Sequence, residues 1–277
     1  MKQRRSQGFT LIELIMVIVI VGILATMTTD IITLPVKSYL DLQRRTTLVD
    51  TAELALRRMQ RDIRRALPNS VRITDNGKTL ELLHVEDGGR YRAKANGSAA
   101  ANAGLCATNP AGDILDFSLN DTCFEVMSTL KVFTPQVTAG QSLVVYNLGN
   151  TTADAYTGSN RATVINSGNA KTISFNAFKF PFNSPQQRFF IVDSPITYRC
   201  INNQLLRYSG YAITASQSNP PTGVTGQVQA NKIASCKFSY DPGNSSRSGL
   251  VTLEMTLTDA MNESIQLVEQ VHVDNVP

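Results

Sequence analysis

The hydrophobic positions fall into three patterns along the chain. From Phe9 to Thr29 (FTLIELIMVIVIVGILATMTT) they run almost unbroken, 21 residues with a single charge at Glu13. As a helix this segment covers about 31 Å at about 1.5 Å per residue, the thickness of a bilayer core. Further on, Leu48, Ala52, Ala55, Met59, Ile63 and Ala66 recur at spacings of 4, 3, 4, 4 and 3. That is one apolar stripe of an amphipathic helix, and Pro68 stops it near Leu67. Pro35 lies inside the expected helix and predicts a kink, since a helix-interior proline loses a backbone bond and clashes with the preceding turn.

Beyond Asn69 the pattern changes to short alternating or β-branched runs between Gly, Asn, Asp and Pro, as antiparallel sheet requires. The expected strands are 70–74, 79–85, 143–148, 172–178, 188–192, 196–200, 204–208, 233–240, 250–258 and 265–273. Asp75-Asn76-Gly77-Lys78 lies between the first two, and Asn-Gly is a strong hairpin signal because both residues tolerate positive φ. Ala93–Gly104 and Ser216–Gly226 are small-residue, turn-rich stretches and read as surface loops.

Charge adds an orientation. Lys2, Arg4 and Arg5 precede the apolar run, which by the positive-inside tendency leaves them in the cytoplasm and everything after Asp30 outside. They also supply most of the net charge of +4: without them, 23 basic residues face 22 acidic ones, a balance that gives no general case for nucleic acid. Seven arginines lie between Arg44 and Arg65 against three acids, and with no interleaved aromatics they read as a solvated helix face. Asp41–Arg45, Glu53–Arg57 and Arg58–Asp62 are candidate i,i+4 pairs.

Four cysteines in a domain delivered outside the membrane read as disulfides, with three possible pairings. The nearest-neighbour pairing is Cys106–Cys123 and Cys200–Cys236. No metal site is expected: there is no Cys-x-x-Cys, and His84 and His272 stand far from the cysteines and from each other. Phosphate-binding, nucleophile-elbow, zinc-protease and dinucleotide motifs are all missing from the sequence, so neither an enzyme nor a cofactor is expected.

Glu13 needs its own account. A carboxylate inside an apolar span costs about 2.5–3.5 kcal/mol on insertion scales, so it is by default functional and in search of a partner. Gly8-Phe9-Thr10-Leu11-Ile12-Glu13-Leu14, after a short basic leader and before an apolar helix, resembles the processing motif of type IV pilins and type II secretion pseudopilins. The resemblance implies cleavage after Gly8 by a prepilin peptidase, N-methylation of Phe9, and an assembly role for Glu13. A buried cation at Phe9 and a buried anion at Glu13 would then be matched between neighbouring subunits, fixing their stagger.

The helix end RRMQRDIRRALPNSVRI and the closing GLVTLEMTLTDAMNESIQLVEQVHVDNVP resemble large minor pilins and J-type minor pseudopilins. PITYRC, NQLLRYSGY, IASCKFSYD and QVHVDNVP are similar to minor pilins of the mannose-sensitive haemagglutinin (MSHA) pilus. The fold implied is α+β and pilin-like, a long N-terminal helix packed on an antiparallel β-sheet domain. Its parts are a leader over 1–8, a membrane and assembly helix over 9–29, an amphipathic continuation over 30–67 and a periplasmic β-rich domain over 69–277.

The partners implied are a prepilin peptidase, other minor pilins and the major pilin, an inner-membrane assembly platform and membrane lipid. Nucleic acid is not among them. The location implied is the bacterial inner membrane and then the pilus, at its tip. The alternatives are a J-type pseudopilin of a type II secretion system and a tip subunit that binds a surface or DNA.

Overall fold

The computed structural model describes residues 8–94, 113–127, 141–169, 172–243 and 247–275. The fold is α+β, a long N-terminal apolar helix followed by an antiparallel β domain. The chain divides into two compact units, residues 1–50 and 51–277.

Helix α1 runs from Leu11 to Arg64, with Pro35 inside it. It stops three residues short of Leu67. Arg65 and Ala66 donate to Asp62 O and Ile63 O, a tightened last turn, and Leu67 N then donates to Leu83 O at 2.8 Å. Leu67 precedes Pro68, a position biased away from helix, so the chain joins the sheet there instead.

Among the described residues the β domain has two sheets. The larger contains β1 (Arg72–Thr74), β2 (Thr79–Arg90), β3 (Asp121–Glu125), β4 (Ser142–Val144), β5 (Arg161–Asn169), β6 (Thr172–Phe178), β7 (Arg188–Ile201), β8 (Gln204–Ser209) and β9 (Gln227–Asn231). Their order is β1-β2-β7-β4-β5-β6-β3, with β8 and then β9 continuing from β7. The smaller sheet is β10 (Ile233–Asp241), β11 (Gly249–Thr258) and β12 (Ser264–Val273), in that order. Every pairing is antiparallel.

Several expected strands change extent for visible reasons. The runs 188–192 and 196–200 form one strand, β7, through Pro195. On one side of β7, β4 pairs with Phe190–Val192 and β8 with Ile196–Ile201, so Pro195 falls in the gap between them; on the other side it stands opposite Leu83, whose own N–H and carbonyl are taken by Ser70 and Leu67. β4 ends at Val144 instead of Leu148, and Tyr146 takes a positive φ of 52° soon after. β3, β5 and β9 are strands the periodicity did not announce, because DTCFE, RATVINSGN and QVQAN are too polar to signal burial.

The turn between β1 and β2 carries positive φ at Asp75, Asn76 and Gly77. Gly77 has a second reason to be glycine: a Cβ there would stand 3.0 Å from Phe238 O of β10. The loop expected at 216–226 is tied to β1, since Arg72 donates to Ala215 O and Thr214 O and Asn219 donates to Thr74 Oγ1. The other expected loop, 93–104, lies almost wholly outside the described residues.

One core cluster is aromatic, with Phe124, Phe175, Phe180 and Phe189 fully buried and Phe124 and Phe189 edge to face at 5.1 Å. Each such side chain stabilises the fold by about 1.5–3 kcal/mol through burial. Within the globular unit, Ala52, Ala55, Met59, Ile63 and Ala66 are all buried, so the stripe read from the sequence is the helix face that meets the sheets.

Candidate processing and assembly site

Gly8, Phe9 and Thr10 precede α1 in non-helical backbone. Thr10 is the N-cap residue: the Glu13 amide donates to its Oγ1 at 3.4 Å and the Leu14 amide to its carbonyl at 3.2 Å. Thr10-Leu11-Ile12-Glu13 has the capping-box spacing, in which an acid three residues past the cap faces the positive end of the helix dipole. Glu13 thus lies in the first turn of α1, and Gly8 and Phe9 lie just before the helix begins. Lys2, Arg4 and Arg5 lie outside the described residues.

A Cβ built at Gly8 would meet nothing within 4 Å, and its φ lies outside the left-handed region. The fold therefore sets no demand for glycine there. The helix that follows is apolar and uncovered: Phe9 is 76% exposed, Leu11 77% and Ile18 61%. Among the described residues one helix is long and apolar enough to cross a membrane, and its most apolar stretch buries nothing against the rest of the protein. A core helix of equal hydropathy would be covered. The Glu13 carboxylate has no hydrogen-bond or ion-pair partner among the described residues.

Residues 3–29 match the family model of the prokaryotic N-terminal methylation motif. The motif marks a type IV pilin-like or pseudopilin-like protein, a structural class and not an enzymatic one. It implies processing by a prepilin peptidase and assembly with pilus components, and with the exposed apolar helix it fits membrane anchoring. The matched span contains Gly8, Phe9 and Glu13 and leaves the globular unit outside. Searches against curated proteins and solved structures find no match to the chain.

In the globular unit Cys200 of β7 and Cys236 of β10 are joined by a disulfide, 36 residues apart with Cα atoms at 6.4 Å. It ties the larger sheet to the smaller. Cys123 is on β3, whereas the Cys106–Cys123 pair lies outside the described residues at Cys106. His84 Nδ1 meets Asp193 Oδ1 at 2.8 Å. Burial alone would raise the Asp193 carboxyl, but the His84 hydrogen bond and charge outweigh it and hold that group below its ordinary range. His272 is exposed on β12.

Sequence reasoning missed two polar clusters. Asp62, expected to pair with Arg58 on the helix surface, instead points into the domain. It accepts from Arg207 Nε at 2.8 Å and from Tyr198 Oη at 2.7 Å. The signal was present: Asp62 stands three residues after Met59 and four before Ala66, on the buried stripe. The second cluster is centred on Glu81, 1% exposed, which takes hydrogen bonds from Arg72 and from Tyr211 Oη while the Arg72 guanidinium stacks 3.7 Å over Tyr156. Both clusters brace elements against one another. A cleft of about 690 Å³ is lined by Arg64, Arg65, Arg90 and Arg188, with Glu86, Asp87 and Asp274 interspersed.

Proposed function

We propose that this chain is a minor pilin of an MSHA-type type IV pilus, resembling minor pilin O of that pilus. Residues 1–8 act as a cytoplasmic leader that a prepilin peptidase removes after Gly8, and Phe9 becomes the N-methylated terminus. The helix over 9–29 holds the subunit in the inner membrane with the globular domain in the periplasm. Glu13 then meets the terminal amine of a neighbouring subunit, while the apolar faces supply packing. The subunit joins other minor pilins in an initiating or tip complex on which the major pilin is polymerised by the membrane platform.

The observation that carries this reading is the pairing of an unconstrained glycine with a capped, uncovered helix whose apolar stretch, residues 11–29, has its single acid in the first turn. Removing residues 1–8 leaves the Thr10 cap intact. It creates a cation beside the positive end of the helix dipole, and Glu13 is the acid within reach to offset it.

The mass of the membrane-extracted protein from cells with and without prepilin peptidase tests this. A chain beginning at N-methyl-Phe9 only when the peptidase is present supports the reading. A chain that retains Met1–Gly8 in both, or one cut beyond Ala25, removes it. The arginine-lined cleft favours a second reading, a tip subunit that contacts an anionic surface or DNA; binding that weakens steeply with salt would support it.

A further inference from the structure

Arginines from three elements converge on the cleft of about 690 Å³: Arg64 and Arg65 at the end of α1, Arg90 from β2 and Arg188 from β7. Arg90 and Arg188 stand directly opposite each other in the β2–β7 register. Like charges in that position work against a sheet, and an anion between them reverses the sign of the contact.

The acids of the same wall are turned to partners within the chain. Gln141 donates to Glu86 Oε2, the Gly88 amide donates to Asp87 Oδ1 at 2.8 Å, and Asp274 Oδ2 lies 4.0 Å from Arg188 Nη1. Arg65 Nη2 donates to the Glu86 carbonyl at 3.2 Å. The Arg64 side chain is exposed and has no hydrogen-bond or ion-pair partner among the described residues. Between the charges the cleft is apolar: Val85 and Phe190 are half-buried in it, and Gly88 and Gly89 carry no side chain to close it.

We infer that this cleft docks a short acidic segment of a partner protein, its carboxylates on the arginine rim and the aliphatic parts of its chain on the floor of Val85 and Phe190. The planar guanidinium fork matches a carboxylate bidentately. The volume lies within the range of about 300–1,000 Å³ usual for ligand sites. Duplex DNA fits the same cleft poorly, because Glu86, Asp87 and Asp274 interrupt the run of cations that a repeating phosphate backbone needs. A flat membrane surface does not reach a concave floor, and a lone phosphate leaves that floor uncovered. Charge complementarity therefore selects a polypeptide, whose carboxylates meet the arginines and whose amides can donate to the acids of the wall. The inference shares only the cationic cleft with the anionic-surface reading, and it is independent of which pilus or secretion machine the chain serves.

Fluorescence anisotropy of fluorescein-labelled hexaglutamate with the full-length protein in neutral detergent tests both the ligand class and the place. The unaltered protein is expected to bind the peptide. Arg64→Gln combined with Arg90→Gln, both at exposed positions, should weaken that binding by about tenfold or more and leave circular dichroism and melting unchanged. Arg57→Gln combined with Arg61→Gln, exposed on α1 but outside the cleft, should leave it within about twofold.

Hexaglutamate that does not bind would overturn the inference. So would equal weakening in the two double variants, which marks attraction to total charge, or displacement of the peptide by inorganic phosphate at equal charge concentration, which marks a simple anion site. A duplex oligonucleotide that binds more tightly than the peptide, and is lost in the Arg64 and Arg90 variant, would return the cleft to the nucleic-acid reading. The mass of the processed chain is untouched by all of these outcomes, so the pilin reading stands or falls separately.

Discussion

At Gly8 the domain's own packing imposes nothing, whereas at Gly77 both a positive φ and the approach of Phe238 do. The two glycines are alike in sequence and opposite in cause. Gly8→Glu is therefore expected to leave the melting temperature of the protein unchanged and to block its processing, read as retention of the leader in the intact mass. Glu13→Ala should leave processing intact and reduce incorporation into pili, read by immunoblot of the sheared fraction; normal incorporation would count against the pairing of Glu13 with a neighbouring amine. Asp62 is the converse case, an acid that is wholly internal in its effect. Asp62→Ala strands Arg207 and Tyr198, and should cost about 1.5–3 kcal/mol in denaturant unfolding, the range for hydrogen bonds to a charged group. Asp113 responds to pH. Burial first and the nearby Asp121 second push its carboxyl up to about 6 from 3.8. The folded chain then holds that proton more tightly than the unfolded chain, so its stabilising contribution is complete below pH 3.8 and is lost as pH rises through about 6. Melting temperatures measured from pH 4 to 7 should show this loss, and Asp113→Asn should remove that component of the slope.

Among the elements, the end of α1 and the course of β7 show how pairing overrides local pattern. The apolar periodicity continues to Ala66, yet Ala66 and Leu67 are taken by β2, through a bridge to His84 and the Leu67 N to Leu83 O bond. Pro195 reads as a break between two strands and is instead a point where β4 gives way to β8 along one continuous strand. The hairpin at Asn76-Gly77 was legible because its φ values are a property of those two residues. β3, β5 and β9 were not, because a polar strand is recruited by its neighbours' unpaired backbone groups and leaves no hydrophobic alternation. The Cys200–Cys236 link joins elements of different sheets. Replacing both by Ser should destabilise the domain by about 4 kcal/mol in the chain-entropy model for a loop of this size, measured as a lower denaturant midpoint under oxidising conditions.

For the whole molecule, two compact units answer to different solvents. Residues 1–50 include an apolar helix with its side chains uncovered, and residues 51–277 form a domain with its own aromatic core. The sequence by itself determined that the first unit carries a long apolar helix, because an unbroken run of apolar residues acts locally and does not wait on long-range contacts. It also determined the class of the second, because strand alternation and turn chemistry are short-range signals. Only the tertiary structure decided the strand order, the burial of Glu81, the partners that Asp62 finds in Arg207 and Tyr198, and the pinning of the 214–215 backbone by Arg72. These depend on residues more than a hundred positions apart meeting in three dimensions, and no periodicity along the chain records which partner satisfies a buried charge or an open edge.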